Sequence, residues 1–375
     1  MSGPLAGLKV VEFAGLGPAP LAGQFLADLG AEVTLIDRRS GKADPNAVNN
    51  RGKTSVALNL KAPEGVEAAR RLIAAADILI EGFRPGVMER MGLGPDECLA
   101  KNPGLVYGRM TGWGQTGPMA QMAGHDINYL SLTGLLNAIG PDDQPPVAPI
   151  NIAADYGGGT MFLLLGLLSG IISRQTTGKG QVIDAAMTEG ASALMAMIHG
   201  LMGSGRWVNE RFNNFLDGAA PFYRTYETSD GKYFSVGCLE PQFHKEFLRL
   251  SGLPGEHQQD YMNKAKWAER RTEYAALFAT KTRDEWTAVF DGSDACAAPI
   301  MDWAEAPAHP QMAAREAFVT IGGVPQPAPA PRFSGTPAET PKPPSPPGAD
   351  TDKVLAELGY SAEEIAALRA AGALT

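Results

Sequence analysis

The sequence predicts an α/β protein, a doubly wound, Rossmann-like large domain joined to a smaller α+β domain. Three patterns predict it. Apolar runs of strand length alternate with helically spaced segments through the first 110 residues. Further on, Asp230-Gly231 stands as a hairpin turn between two strand-like runs. Residues 322–349 are dense in proline, hence extended and semi-rigid, and a helical segment follows them.

Residues 8–13 form an apolar run suited to a buried parallel strand. A helix over 20–29 follows, with Leu21, Phe25, Leu26 and Leu29 on one side and Gly30 ending it. Strands are expected at 32–37, 55–60, 78–81 and 105–110, with helices at 64–75 and 95–101 between the later ones. A helix is expected at 128–139, a polar loop at 141–149, and a buried central helix at 155–173. A short strand at 181–184 leads into a helix ending near Met202. The methionines there, Met187, Met195, Met197 and Met202, suit core filling or a pliable surface for acyl chains.

The second domain begins with the hairpin. Helices at 241–250, 265–280 and 283–291 follow, with Thr282 and Glu285 as a capping box. A second capping box, Ser361 and Glu364, marks the final helical segment. The expected division is a large domain over 1–202, a linker over 203–219 and a small domain over 220–320. A proline-rich return arm over 321–349 brings terminal helices, 350–375, back to the large domain.

Composition narrows the function. The chain has 375 residues, is 44% hydrophobic and carries a net charge of −9. That describes a globular protein with a large core and no nucleic-acid partner. The longest apolar run, 161–172, is too short to span a membrane, and the first residues lack an export signal. Three scattered cysteines without metal-ligand spacing fit a reducing cytoplasm.

Gly15-Leu16-Gly17, with Asp37 after the second strand, imitates a dinucleotide-binding start. The third glycine of that fingerprint is replaced by Pro20. Cations gather at the strand ends instead: Arg38 and Arg39, Arg51 and Lys53, Lys61, and Arg84 with Arg90 one turn on. Ligands of open α/β sheets bind at those ends. The cations there suit a phosphorylated ligand, or else are simply solvated.

The most informative stretch runs from Gly124 to Asp155. Gly124-His125-Asp126 and Asp155 both fall at expected helix starts, thirty residues apart from His125 to Asp155. Such positions suit caps, since Asp is a preferred N-cap. They also suit a pair of groups trading a proton across a substrate carbon, next to N–H groups that favour developing negative charge.

Gly124-His125-Asp126-Ile127-Asn128-Tyr129 resembles the signature of the alpha-methylacyl-CoA racemases, within the family III CoA-transferase fold. The segments 109–118, 83–86, 177–181 and 329–334 are similar as well. The resemblance implies an interlocked homodimer acting on an acyl-CoA thioester, with no cofactor and no metal, CoA being part of the substrate. It implies that His125 and Asp155 are the two acid/bases and that the N–H of Asp126 donates to the thioester oxygen. It implies that Glu240, from the partner subunit, orients the histidine. Arg38, Ala57, Leu58, Asn59, Leu60, Lys61, Gly82, Phe83, Arg84 and Arg90 are similar to CoA-binding segments. Gly124 and Tyr129 belong to the substrate site.

These residue types suit the chemistry. The α-proton of a thioester is a weak acid, so the enolate oxygen must be met by fixed dipoles. Inversion needs a base on one face and an acid on the other, and Asp155 must be protonated to donate. Two other readings stand beside this one. A CoA transferase of the same fold would use Asp155 as nucleophile and needs no histidine at position 125. A non-catalytic acyl-CoA binder needs no facing pair.

Overall fold

The computed structural model describes residues 3–375. Strands β1 (Lys9–Phe13), β2 (Glu32–Asp37), β3 (Thr54–Ala57), β4 (Ile78–Glu81), β5 (Val106–Thr111) and β6 (Gln181–Ala186) form one parallel sheet. Their order is β3-β2-β1-β4-β5-β6. The chain winds outward from β1 and returns to β4 on its other side. The β1 and β4 exits therefore flank the crevice where doubly wound sheets bind ligands.

Helix α1 (Pro18–Asp28) starts with proline at its first position, after Gly17 at φ 69°. Helices α2 (Pro63–Ala74), α3 (Val87–Arg90) and α4 (Pro95–Lys101) follow around β4. Helix α5 (Asp126–Thr133) stops short of the expected residue 139, because Gly134 takes φ 82°.

Residues Ile152–Thr160 are wound as a π-helix that runs directly into α6 (Met161–Thr177). Gly157, Gly158 and Gly159 thus lie inside the helix expected over 155–173, which begins three residues earlier, at Ile152. Close packing explains the glycines: a Cβ on Gly190 would lie 1.9 Å from the Gly158 carbonyl oxygen. The combined helix has 26 residues and is long and apolar enough to cross a membrane, which corrects the shorter run read from sequence. It packs on β5 and β6, where Leu163 and Leu167 are buried, while Leu165 and Ile172 are exposed.

The expected single helix to Met202 is two helices, α7 (Met187–Leu194) and α8 (Ala196–Gly203), parted at Met195. Met187 is buried, whereas Met197 and Met202 are exposed, so core filling describes only part of the set.

Contacts divide the chain into two units. The larger comprises 3–133, 150–194 and 313–375; the smaller comprises 134–149 and 195–312. The second stretch of the larger unit stops at Leu194, and the smaller unit takes in residues 134–149, with the polar loop 141–149 among them.

In the smaller unit β7 (Tyr223–Glu227), β8 (Tyr233–Gly237) and β9 (Ala297–Pro299) form an antiparallel sheet. Helices α9 (Pro241–Ser251), α10 (Trp267–Phe278) and α11 (Arg283–Phe290) cover it around an aromatic core including Phe222, Phe234, Phe247, Phe278 and Trp286. The Thr282–Glu285 capping box is present.

After α12 (Pro310–Ala314), the hairpin β10 (Phe318–Ile321) and β11 (Val324–Pro327) opens the proline-rich arm. Gln326 there is buried against Arg51, which also pairs with Asp28 at 2.6 Å. Helices α13 (Thr351–Glu357) and α14 (Ala362–Ala370) place Val354, Leu355 and Ile365 in the core beside β3 and α2.

Candidate active site

His125 and Asp155 stand at two helix starts joined by one side chain. Asp126, buried at the first position of α5, turns its carboxylate toward the π-helix. Its Oδ2 accepts the backbone N–H of Ala154 at 2.8 Å and of Asp155 at 2.9 Å. These are N–H groups of a first helical turn, which otherwise lack partners. The Asp126 backbone N–H has no partner of its own among the described residues and remains available to an oxygen anion. His125 is exposed, and its backbone N–H donates to Asn128 Oδ1 at 3.1 Å.

Burial pushes the Asp155 carboxyl up from its ordinary range. A hydrogen bond from Asn151 at 3.3 Å opposes the shift, the negative Asp126 adds to it, and His125 opposes it. Burial thus disfavours the charged carboxylate relative to one in water. A Cβ on Gly17 would lie 3.6 Å from Asp155 Oδ2, so the β1 exit loop borders the carboxyl.

Tyr129 supports this geometry from beneath. Its hydroxyl donates to the Gly124 carbonyl, and its ring meets Trp113 edge-on at 4.8 Å. A Cβ on Gly112 would lie 2.0 Å from that ring, and one on Gly124 2.7 Å. Gly124 and Tyr129 thus shape the segment carrying His125; the Tyr129 ring is buried and its hydroxyl is engaged.

The strand-end cations divide into two groups. Arg51 and Lys53 are buried in ion pairs with Asp28 and Glu12, which removes them from any ligand. Burial pushes Glu12 up to about 7 against the opposing pull of Lys53. Arg38, Lys61, Arg84 and Arg90 are exposed, and no ion pair holds any of them among the described residues. The loop carrying Gly82, Phe83 and Arg84 is fixed from below. Glu81 accepts the Phe83 N–H at 2.7 Å and pairs with buried Arg109 at 2.9 Å, which also holds Glu89.

The segment after β3 differs from the expectation. Ala57 and Leu58 are buried. The Ala57 N–H donates to Thr351, the Asn59 N–H to the Ala373 carbonyl, and Leu58 bridges Leu374. Leu60 packs on the core. The carboxyl-terminal tail occupies these groups because it completes the sheet edge at β3. Of this segment, Lys61 and part of Asn59 and Leu60 face outward.

Glu240 belongs to the smaller unit, at the N-cap of α9. It makes no capping hydrogen bond, and its exposed carboxylate has no hydrogen bond or ion pair among the described residues. Also among the described residues, no group of His, Cys, Asp or Glu is placed to hold a metal ion.

The family model for CoA-transferase family III matches residues 5–351. The chain belongs to the CoA-transferase family III. A mouse protein named alpha-methylacyl-CoA racemase is 45% identical over 96% of this chain and 95% of its own length. The human protein of that name is 42% identical over the same shares. The crystal structure of a CAIB/BAIF family protein from Brucella suis superposes with a TM-score of 0.80 at 31% identity, covering 96% of this chain and all of that one. This member of the family thus shares most of its length with all three and its fold with the Brucella suis structure.

Sequence reasoning missed the Asp126 carboxylate as a brace, having counted only its N–H. It also missed Asn151 beside Asp155 and the Glu81–Arg109–Glu89 group under the loop at Arg84. Nothing beside Arg109 in the sequence signals its partner Glu81, which lies 28 residues away on the neighbouring strand.

Proposed function

We propose that the protein is a racemase inverting the α-carbon of 2-methylacyl-CoA thioesters. Proton transfer passes through an enolate, with His125 and Asp155 as the two acid/bases. One removes the α-proton, and the other returns a proton to the opposite face. The free N–H of Asp126, at the start of α5, meets the developing enolate oxygen with a fixed dipole. The observation that carries this reading is the brace from Asp126 to the N–H groups of Ala154 and Asp155, which ties the two helix starts together. The names and identity of the mouse and human relatives support the substrate class.

The unpaired cations at Arg38, Lys61, Arg84 and Arg90 suit the phosphates of CoA. The acyl group reaches the site as a thioester, and the residues named supply acid, base and dipole without a further cofactor. The unpaired Glu240 carboxylate suits orienting the imidazole of His125 in a homodimer. Three unpaired cysteines suit a cytoplasmic location.

The test is incubation of a single enantiomer of a 2-methylacyl-CoA in heavy water. This reading expects α-deuteration with loss of optical purity. Acyl exchange to a carboxylate acceptor without α-deuteration would assign Asp155 as a transferase nucleophile. The absence of both α-deuteration and acyl exchange would assign a non-catalytic acyl-CoA binder.

A further inference from the structure

The short segment Leu239-Glu240-Pro241 joins β8 to α9, and each of its three carbonyl oxygens is held by a separate donor. The Tyr261 hydroxyl donates to the Leu239 carbonyl at 3.1 Å. The backbone N–H of His244 donates to the Glu240 carbonyl at 3.0 Å. The Gln258 amide donates to the Pro241 carbonyl at 3.0 Å. The second is the ordinary first bond of a helix. The other two come from side chains beyond α9, and neither is needed to build the helix.

A buried relay stands behind them. The imidazole of His244 is fully buried and stacks on the Tyr261 ring, centroids 4.4 Å apart. Its Nδ1 meets Gln258 Oε1 at 2.8 Å, and its Nε2 meets the Tyr274 hydroxyl at 3.3 Å. Burial pushes the His244 pKa down to about 4, against the hydrogen bond to Gln258. The ring is neutral at physiological pH, and with Tyr274 donating to Nε2 its proton sits on Nδ1. That proton occupies Gln258 Oε1, so the amide NH2 is the end turned toward Pro241. Tyr261 is fixed from its other side, since the Trp267 indole N–H donates to its carbonyl at 2.9 Å and the Phe222 ring lies 5.2 Å away.

What this clamp holds is a carboxylate with no partner. Glu240 is exposed, does not cap its own helix and pairs with nothing among the described residues. A long side chain at a loop–helix junction ordinarily wanders, and its backbone with it. Here the backbone before and after it is tied to an aromatic core.

We propose that Tyr261 and Gln258 are positioning residues that fix the backbone on both sides of Glu240 and so aim its carboxylate at its target. This rests on the proposed role of Glu240 in the racemase site. Loosening the clamp leaves substrate binding alone and lowers turnover, because it misplaces one group that acts on the chemical step.

The experiment is a double-mutant cycle in the full-length protein, following α-proton exchange of a 2-methylacyl-CoA. Tyr261→Phe and Gln258→Leu should each lower kcat about tenfold with KM unchanged, in the range found for partners that orient an active group. In the Glu240→Gln background, the same changes should have no further effect on kcat. Tyr226→Phe is the control. Its hydroxyl donates to the Pro221 carbonyl at 2.6 Å in the same aromatic core and does not touch residues 239–241. It should lower the melting temperature and leave kcat as it is. A loss that is equal in both backgrounds, or matched by Tyr226→Phe, or absent, overturns the clamp. If Glu240→Gln itself keeps full kcat, the role of Glu240 fails first, and the clamp has nothing to aim.

Discussion

Asp126 Oδ2 accepts the backbone N–H of Asp155 at 2.9 Å, so the helix start that carries His125 is bonded to the helix start that carries Asp155. One carboxylate does two things there. It holds the geometry, and its charge adds to the upward shift of the Asp155 carboxyl. Asp126→Asn and Asp126→Ala separate them. The amide can still accept from both N–H groups but has no charge. Alanine leaves two buried N–H groups without a partner, at a cost of about 1–3 kcal/mol each. Asp126→Ala should therefore lower thermal stability and cut turnover by roughly 10²-fold through misplacement. Asp126→Asn should keep most of the stability. Calorimetry and steady-state kinetics on the two variants check this, and equal stability losses would show that the brace is not what Asp126 contributes.

Asn151 predicts a shift in the pH profile. Its hydrogen bond lowers the Asp155 pKa, against the upward push of burial. Asn151→Ala removes the lowering influence, so the carboxyl moves further up. In the direction where Asp155 donates, its acid form persists to higher pH, and the alkaline limb moves up. In the opposite direction it must be ionised to accept, so the acid limb moves up as well. Profiles of kcat measured from each enantiomer check the sign; a downward move of either limb contradicts it.

The exposed arginines predict a contrast between substrates. Arg84→Ala and Arg90→Ala should each raise KM for an acyl-CoA about tenfold, the scale of one charge-assisted hydrogen bond, with a smaller change in kcat. The matching pantetheine thioester, which lacks the nucleotide phosphates, should be affected little. Equal losses on both substrates would assign these arginines to the fold.

Much of the sheet was legible because its strands are buried on both faces and read as plain apolar runs. All residues of β4 are buried, and its bounds were expected as they stand. The two capping boxes were legible for a local reason, since partner and cap lie three residues apart. What was missed depends on distant packing. A helix was expected through the glycines at 157–159, but not its π winding nor the close approach of α7 to their backbone. Short β9 pairs with β8 across some 60 residues and has three residues of its own, too few for a periodicity. Ala57 and Leu58 lie where a ligand-binding strand end was expected, but the last residues of the chain cover them. At the site, residue types pointed to His125 and Asp155, whereas the carboxylate joining them gave no sign, because Asp126 reads first as a helix start.

The unpaired Glu240 predicts complementation between chains. Asp155→Ala and Glu240→Ala subunits, each weak alone, should regain activity when co-expressed as heterodimers, since one of two equivalent composite sites is then intact. Activity near half that of the wild type, measured on heterodimers isolated by two tags, is the expected result. No recovery would show that Glu240 serves its own chain or takes no part.

The two-base assignment is tested most directly by α-proton exchange in heavy water, measured separately for each enantiomer with His125→Ala and Asp155→Ala. Both variants should lose racemisation by at least about 10²-fold, the scale of a general acid or base. Each should still exchange the α-proton of one enantiomer, and the two should retain opposite ones, because each variant keeps the base on one face. Racemisation near the wild-type rate in either variant, or exchange of the same enantiomer by both, would contradict the assignment.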